Sequence, residues 1–320
     1  MPSALYPLYT EGRLHPQARR LLEALAIQPG PPLRSLTPAQ VREANRIAQW
    51  VAPYEPAAST RGITIGSERG GIRARAYTPA GTGPFPILIY FHGGGFVFGS
   101  LDDSDHVCAT LSRHGECLVV SVDYRLAPEF RFPAAVHDAA AALEGVAREA
   151  REIGGDPSRI AVGGESAGAN LAAVLAQDSR DQGGPPLRLQ LLLCPWVEMG
   201  HFDTGSYRLF GDGPWLPRRN MEYYRDQYLG DLSEALNVRA SPLRLESFRS
   251  LPPAHVVTAE LDVLRDEGET YAARLSAAGV PTTLTRYRGM IHSFFLLTGV
   301  LEDAHTALLE CGERLREAFR

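Results

Sequence analysis

The strongest constraint in this sequence is a rhythm. Short, nearly continuous apolar runs alternate with longer Ala-rich stretches of helical period. The runs fall at residues 87–91, 118–122, 159–162, 188–193 and 255–258, and the helical stretches at 134–150, 167–178, 266–278 and 302–319. A strand that is apolar at every position, rather than every second one, has both faces covered. Such strands separated by helices predict a parallel sheet with helices on both sides. Residues 71–78 and 282–287 alternate apolar with polar instead, as strands with an exposed face do.

Two regions depart from the rhythm. Residues 16–28 and 38–50 have helical period, marked by Leu21, Leu22, Leu25 and Ile27 in the first and by Val41, Ile47 and Trp50 in the second. Thr37-Pro38 makes a cap and first-turn pair, Pro29 to Pro32 separate the two, and Pro53 and Pro56 end this arm. Residues 199–240 hold no clear strand and carry Phe202, Tyr207, Phe210, Trp215, Tyr223, Tyr224 and Tyr228. They read as a helical insertion, either a surface excursion packed on the core or part of a lid over a site. The lid is favoured, because long insertions after a strand are often functional. The expected organisation is an N-terminal helical arm over 1–55, an α/β unit built from 56–198 and 241–320, and a cap insertion over 199–240.

Composition narrows the chemistry. With 320 residues, 44% hydrophobic and 22% charged, the chain suits one large globular domain with a lid. A net charge of −5 gives no pull toward nucleic acid or an anionic membrane. All 32 basic residues are Arg, which excludes a Schiff-base lysine, a Walker lysine and a Ser–Lys dyad. Met1-Pro2-Ser3-Ala4 shows no secretory pattern, and no apolar run approaches the length of a membrane span. The four cysteines, Cys108, Cys117, Cys194 and Cys311, form no C-x-x-C pair, so the expected setting is a reducing cytoplasm with free thiols. Cys108 lies two residues after His106, but a thiol nucleophile there is disfavoured, since adjacency in sequence is weak evidence of geometry.

The reactive residues stand at the ends of the apolar runs. Gly164-Glu165-Ser166-Ala167-Gly168 matches G-x-S-x-G, weak by itself but placed between the run at 159–162 and the helical stretch that follows. A serine on a tight strand-to-helix turn is exposed, and the helix N-terminus behind it favours negative charge. His92-Gly93-Gly94-Gly95 follows the run at 87–91. Successive glycines let backbone N–H groups approach a ligand, as an acyl-transfer oxyanion requires. A dinucleotide loop would need a glycine where Phe98 stands. His92 is expected to hold this loop by hydrogen bonds rather than to act as a base.

A nucleophilic serine needs a base, and the base an orienting acid. Of nine histidines, His292 is the candidate base, expected in a turn Arg288-Gly289-Met290-Ile291-His292 after the strand at 282–287. His15, His106, His114, His201 and His305 lie in helical or polar stretches, His137 within a helix, and His255 inside a strand as a packed residue. Asp262, after the run at 255–258, is the candidate acid. One crossover unit separates it from His292, so both emerge at the C-terminal ends of neighbouring parallel strands, where such sheets bind ligands. Glu260 remains a competitor for the acid. Asp266 and Glu267 begin the next helix and are expected to serve its dipole.

Taken together, His92–Gly95, Asp123-Tyr124-Arg125-Leu126-Ala127-Pro128-Glu129, Phe132-Pro133-Ala134-Ala135, Gly164–Gly168, the segment from Asp262 to Gly268 and His292-Ser293-Phe294 resemble the hormone-sensitive-lipase-like family of bacterial esterases, from about residue 14 onward. The resemblance implies the α/β-hydrolase fold, with a mostly parallel sheet of about eight strands and a helical cap. It further implies oxyanion donors at Gly94, Gly95 and Ala167, with His92, Gly93 and Glu165 in support. It implies short- to medium-chain esters as substrates, no cofactor or metal, and frequent homodimers. Three positions depart from the family pattern: Glu165 replaces an Asp, Phe130 replaces a His, and Glu198 replaces an Asp after Pro195-Trp196-Val197. Trp196 either narrows the pocket or belongs to the core. Two alternatives to an esterase stay open: a small-molecule-binding protein on the same fold, and a hydrolase of amides, lactones or carbamates with the same three residues.

Overall fold

The computed structural model describes residues 13–27, 30–46, 50–66, 70–213 and 215–320. Eight strands form one sheet: β1 (Ser59–Ile65), β2 (Ile72–Thr78), β3 (Phe85–Phe91), β4 (Leu118–Val122), β5 (Gly155–Glu165), β6 (Leu187–Leu193), β7 (Ala254–Leu261) and β8 (Thr282–Ile291). Their order is β1-β2-β4-β3-β5-β6-β7-β8. Pairing is antiparallel for β1 with β2 and β2 with β4, and parallel from β4 through β8. This is the expected α/β-hydrolase fold.

The physical basis is the apolar runs. β4 is buried at every position and β3 at all but its first, so each needs cover on both faces. That cover comes from α3 (Asp105–Gly115), α4 (Ala134–Ile153), α5 (Ala167–Gln182), α8 (Arg265–Ala277) and α9 (Glu302–Phe319), with α3 packed on α9 and α4 on α5. The long insertion forms α6 (Gly205–Phe210) and α7 (Arg218–Tyr228), then a 3₁₀ turn over Leu232–Leu236.

The arm holds α1 (Pro16–Ile27) and α2 (Pro38–Ala44). The expected second helix to residue 50 is corrected. Thr37 and Gln40 form a capping box at its start, but the helix stops at Ala44, where the Asn45 side-chain amide donates to the Val41 carbonyl at 2.7 Å and closes the last turn. Ile47, Pro29 and the segment Met1 to Ala4 lie outside the described residues, as does the side chain of Ile27. Strand β1 and helix α3 had no counterpart in the sequence rhythm. β1 is exposed at five of its seven positions, so it has no apolar run to show.

Candidate active site

Ser166 stands between β5 and α5 in a conformation few non-glycine residues adopt, φ 54° and ψ −113°. Such strain costs of order 1–3 kcal/mol and persists only where the surroundings impose it. Here they do. The Ser166 N–H donates to the Leu193 carbonyl at 2.8 Å, and the Ser166 carbonyl accepts from Asn170 and Trp196. The glycines on either side permit the close approach. A Cβ on Gly168 would lie 2.0 Å from the Phe91 carbonyl oxygen, and one on Gly164 would lie 2.5 Å from the Gly168 backbone.

Three side chains meet at this turn. The His292 Nε2 is 3.1 Å from Ser166 Oγ, and its Nδ1–H donates to Asp262 Oδ2 at 2.7 Å. The other Asp262 oxygen accepts from the Leu264 N–H at 2.9 Å. Asp262 follows β7 and His292 follows β8, neighbours in the sheet, so the ends of adjacent parallel strands bring them together. Burial opposes a charged imidazole here, but the facing Asp262 carboxylate, aided by Glu165, outweighs it and raises the His292 pKa above its ordinary value. Glu260, the competitor for the acid, turns elsewhere: its carboxylate accepts from the Gly289 N–H at 2.8 Å. The expected turn at 288–292 is corrected. β8 runs on to Ile291, which pairs with Leu261, with a bulge at Gly289 (φ 67°) where the pairing shifts, and His292 follows the strand end.

The glycine loop lies beside Ser166. Gly94 and Gly95 have φ values of 112° and 60°, conformations glycine adopts without strain. The Gly94 carbonyl accepts from Val97 and Phe98, which closes the turn. Among the described residues the N–H groups of Gly94, Gly95 and Ala167 have no acceptor within the chain. Gly93 has a different reason to be glycine: its Cβ would fall 2.0 Å from Glu165 Oε2. The Glu165 carboxylate is buried under this loop and accepts from Ser293 Oγ, and burial raises its pKa. His92 Nδ1 donates to the Gly93 carbonyl at 2.7 Å, and its ring stacks on Tyr124 at 4.4 Å. Burial lowers the His92 pKa below its ordinary value.

A cavity of about 270 Å³ opens over Ser166 and His292. The arm contributes Leu25 and Trp50 to its walls, and the insertion contributes Trp215, Leu216, Met221 and Tyr224. The Trp215 Nε1–H donates to the His292 carbonyl at 2.8 Å. Sequence reasoning placed Trp215 and Tyr224 in a lid segment and Ser293 beside the candidate base, but gave none of them a contact of its own, since those contacts depend on how distant segments approach.

Other candidates resolve away from the cavity. Trp196 is fully buried, does not line the cavity, and donates from Nε1 to the Glu198 carbonyl at 3.0 Å; it belongs to the core. The Glu198 carboxylate pairs with Arg244 at 2.9 Å. Asp266 and Glu267 stand in the first turn of α8, as expected, and also hold other backbone. Asp266 accepts from the Ser206 N–H at 2.7 Å, at the start of α6. The buried Glu267 accepts from the Val197 and Glu198 N–H groups. Each closes the loose backbone that follows β6. All four thiols are free and buried, and burial raises the Cys108 pKa, which removes it as a nucleophile. The Cys194 thiol lies with the Asp262 and His292 side chains, their ligand atoms all within 4.8 Å. Burial keeps that thiol protonated, and the other two groups bond each other, so the set has the character of an acid–base pair rather than a metal centre.

Comparison with known proteins bears on the fold and the family. A family profile described as the alpha/beta hydrolase fold matches residues 88–296. The carboxylic ester hydrolase LipN of Mycobacterium tuberculosis is 43% identical over 241 residues, covering 73% of this chain and 64% of that protein. The esterase LipI of the same organism is 40% identical over 263 residues, covering 80% of this chain and 81% of its own. Among solved structures, the esterase rPPE superposes with a TM-score of 0.93 at 36% identity, over 97% of this chain and 98% of that one.

Proposed function

The chain belongs to the α/β-hydrolase family, among the hormone-sensitive-lipase-like esterases, and on that premise we propose that it is a carboxylesterase acting on short- to medium-chain acyl esters. The observation that carries the reading is the unbroken line from Asp262 Oδ2 through the His292 ring to Ser166 Oγ, at 2.7 and 3.1 Å, on the floor of a small cavity.

Each residue has a distinct part. His292 Nε2 takes the Ser166 proton as Oγ attacks the ester carbonyl. Asp262 stays ionised, holds Nδ1 protonated and stabilises the imidazolium that forms. The free N–H groups of Gly94, Gly95 and Ala167 receive the oxyanion, each able to contribute about 10²–10³ in rate. His292 then gives its proton to the leaving alcohol, and the same ring activates the water that releases the acid from Ser166. His92, Gly93 and Glu165 hold the loop that presents the donors.

The arm and the 199–240 insertion together form the cap, and the cavity they close suits a small ester rather than a triglyceride. Among the described residues no helix is long and apolar enough to cross a membrane. We place the protein in the cytoplasm, where its four buried thiols stay reduced. A fluorophosphonate probe followed by peptide mass mapping tests the nucleophile: label on Ser166 supports the mechanism, and label elsewhere or none contradicts it.

A further inference from the structure

The insertion grips the reactive residues at two points. On one side, α7 packs on the glycine loop. The Tyr224 ring lies 2.5 Å from where a Cβ on Gly95 would stand, and Phe96 stacks on Tyr228 at 3.8 Å. On the other side, the Trp215 indole N–H donates to the His292 main-chain oxygen. His292 needs such an anchor. It sits where β8 has ended, and the next residue, Ser293, is left-handed with φ 54°. Two side chains from elsewhere in the chain tie down this corner: Glu165 through the Ser293 hydroxyl, and Trp215 through the His292 carbonyl.

We propose that Trp215 is a positioning residue, whose hydrogen bond fixes the backbone of His292 and so sets the imidazole against Ser166. This rests on the hydrolase mechanism above. A displacement of about 1 Å in a reacting group can cost 10²-fold in rate, so one well-placed bond to the base's own peptide matters. Trp215 also walls the cavity beside Leu216 and Met221. The segment that holds the base therefore also forms part of the cavity wall.

The experiment compares Trp215→Phe and Trp215→Ala with the wild-type protein in ester hydrolysis and in the rate of Ser166 labelling by a fluorophosphonate. Rates are normalised to the sites labelled at completion, so partial unfolding does not imitate the effect. Phe keeps the ring and loses the donor. The expected result for Trp215→Phe is a kcat about tenfold lower, the scale of one hydrogen bond, with KM within about twofold and labelling slowed by the same tenfold. Trp215→Ala adds a rise in KM. If Trp215 only walls the cavity, Trp215→Phe keeps wild-type kcat and labelling rate, and that result overturns the proposal. A wild-type protein that never labels at Ser166 instead overturns the nucleophile assignment, and this proposal falls with it.

Discussion

The His292 Nδ1–H and Asp262 Oδ2 are 2.7 Å apart, and the other Asp262 oxygen is held by the Leu264 N–H at 2.9 Å. Both carboxylate oxygens are therefore committed, and the imidazole can present only Nε2 to Ser166. The bond also raises the His292 pKa above its ordinary value of 6.5. As the proposed base, His292 must be neutral to work, so kcat/KM is expected to fall as pH drops through that raised pKa. Asp262→Asn removes the stabilising charge and reverses the preferred tautomer. The expected outcome is a loss of about 10⁴ in kcat and an acid limb displaced to lower pH, read from a pH–rate profile.

Glu165 offers a test with two opposite effects. Its carboxyl pKa is raised by burial, so the folded state binds this proton more tightly than the unfolded chain. The penalty for ionising it is absent below the unfolded pKa and fully present above the folded one. Glu165→Gln, which keeps an oxygen for Ser293, is expected to raise Tm relative to wild type at pH 8 and to lose that advantage near pH 4. It also withdraws a negative charge that supports the His292 imidazolium, so the acid limb of kcat/KM moves to lower pH. Thermal unfolding across pH, together with the rate profile, checks both signs.

Gly168 probes the strand–turn–helix geometry. Its missing side chain leaves room for the carbonyls of Phe91 and His92, at 2.0 and 2.5 Å from a Cβ position. Backbone lies on the far side of that contact, so nothing can rotate away. Gly168→Ala is expected to destabilise the protein by about 2–3 kcal/mol and to lower Tm by roughly 3–4 °C, measured by calorimetry. An alanine accepted without cost would mean that α5 and β3 are not as close as described.

Much of this was legible in the sequence for a physical reason. Strands covered on both faces are apolar along nearly their whole length, so β3 and β4 announce themselves, whereas β1, exposed along most of its length, does not. The candidate site residues were legible as a group because they sit at strand ends, beside glycines that close packing requires. Boundaries were harder. Arg288-Gly289 reads as turn punctuation, and the structure makes of it a bulge in β8: Gly289 has φ 67°, the pairing with β7 shifts between Ala259 and Leu261, and the Glu260 carboxylate takes the Gly289 N–H. Asp266 and Glu267 stand in the first turn of α8 as dipole residues do, and their second partners, the Ser206 and Val197 N–H groups, show only once the backbone after β6 is placed against them. Trp215 is one aromatic among many in its segment, and only the approach of two chain segments 77 positions apart gives it a partner.

The most direct test of the central claim is hydrolysis of a p-nitrophenyl ester series, from acetyl to dodecanoyl, by the wild-type protein and by Ser166→Ala. The account predicts activity that peaks at short acyl chains, as a cavity of about 270 Å³ requires, and a fall of about 10⁴ or more in kcat on removal of the Ser166 hydroxyl. Hydrolysis that survives Ser166→Ala would contradict it.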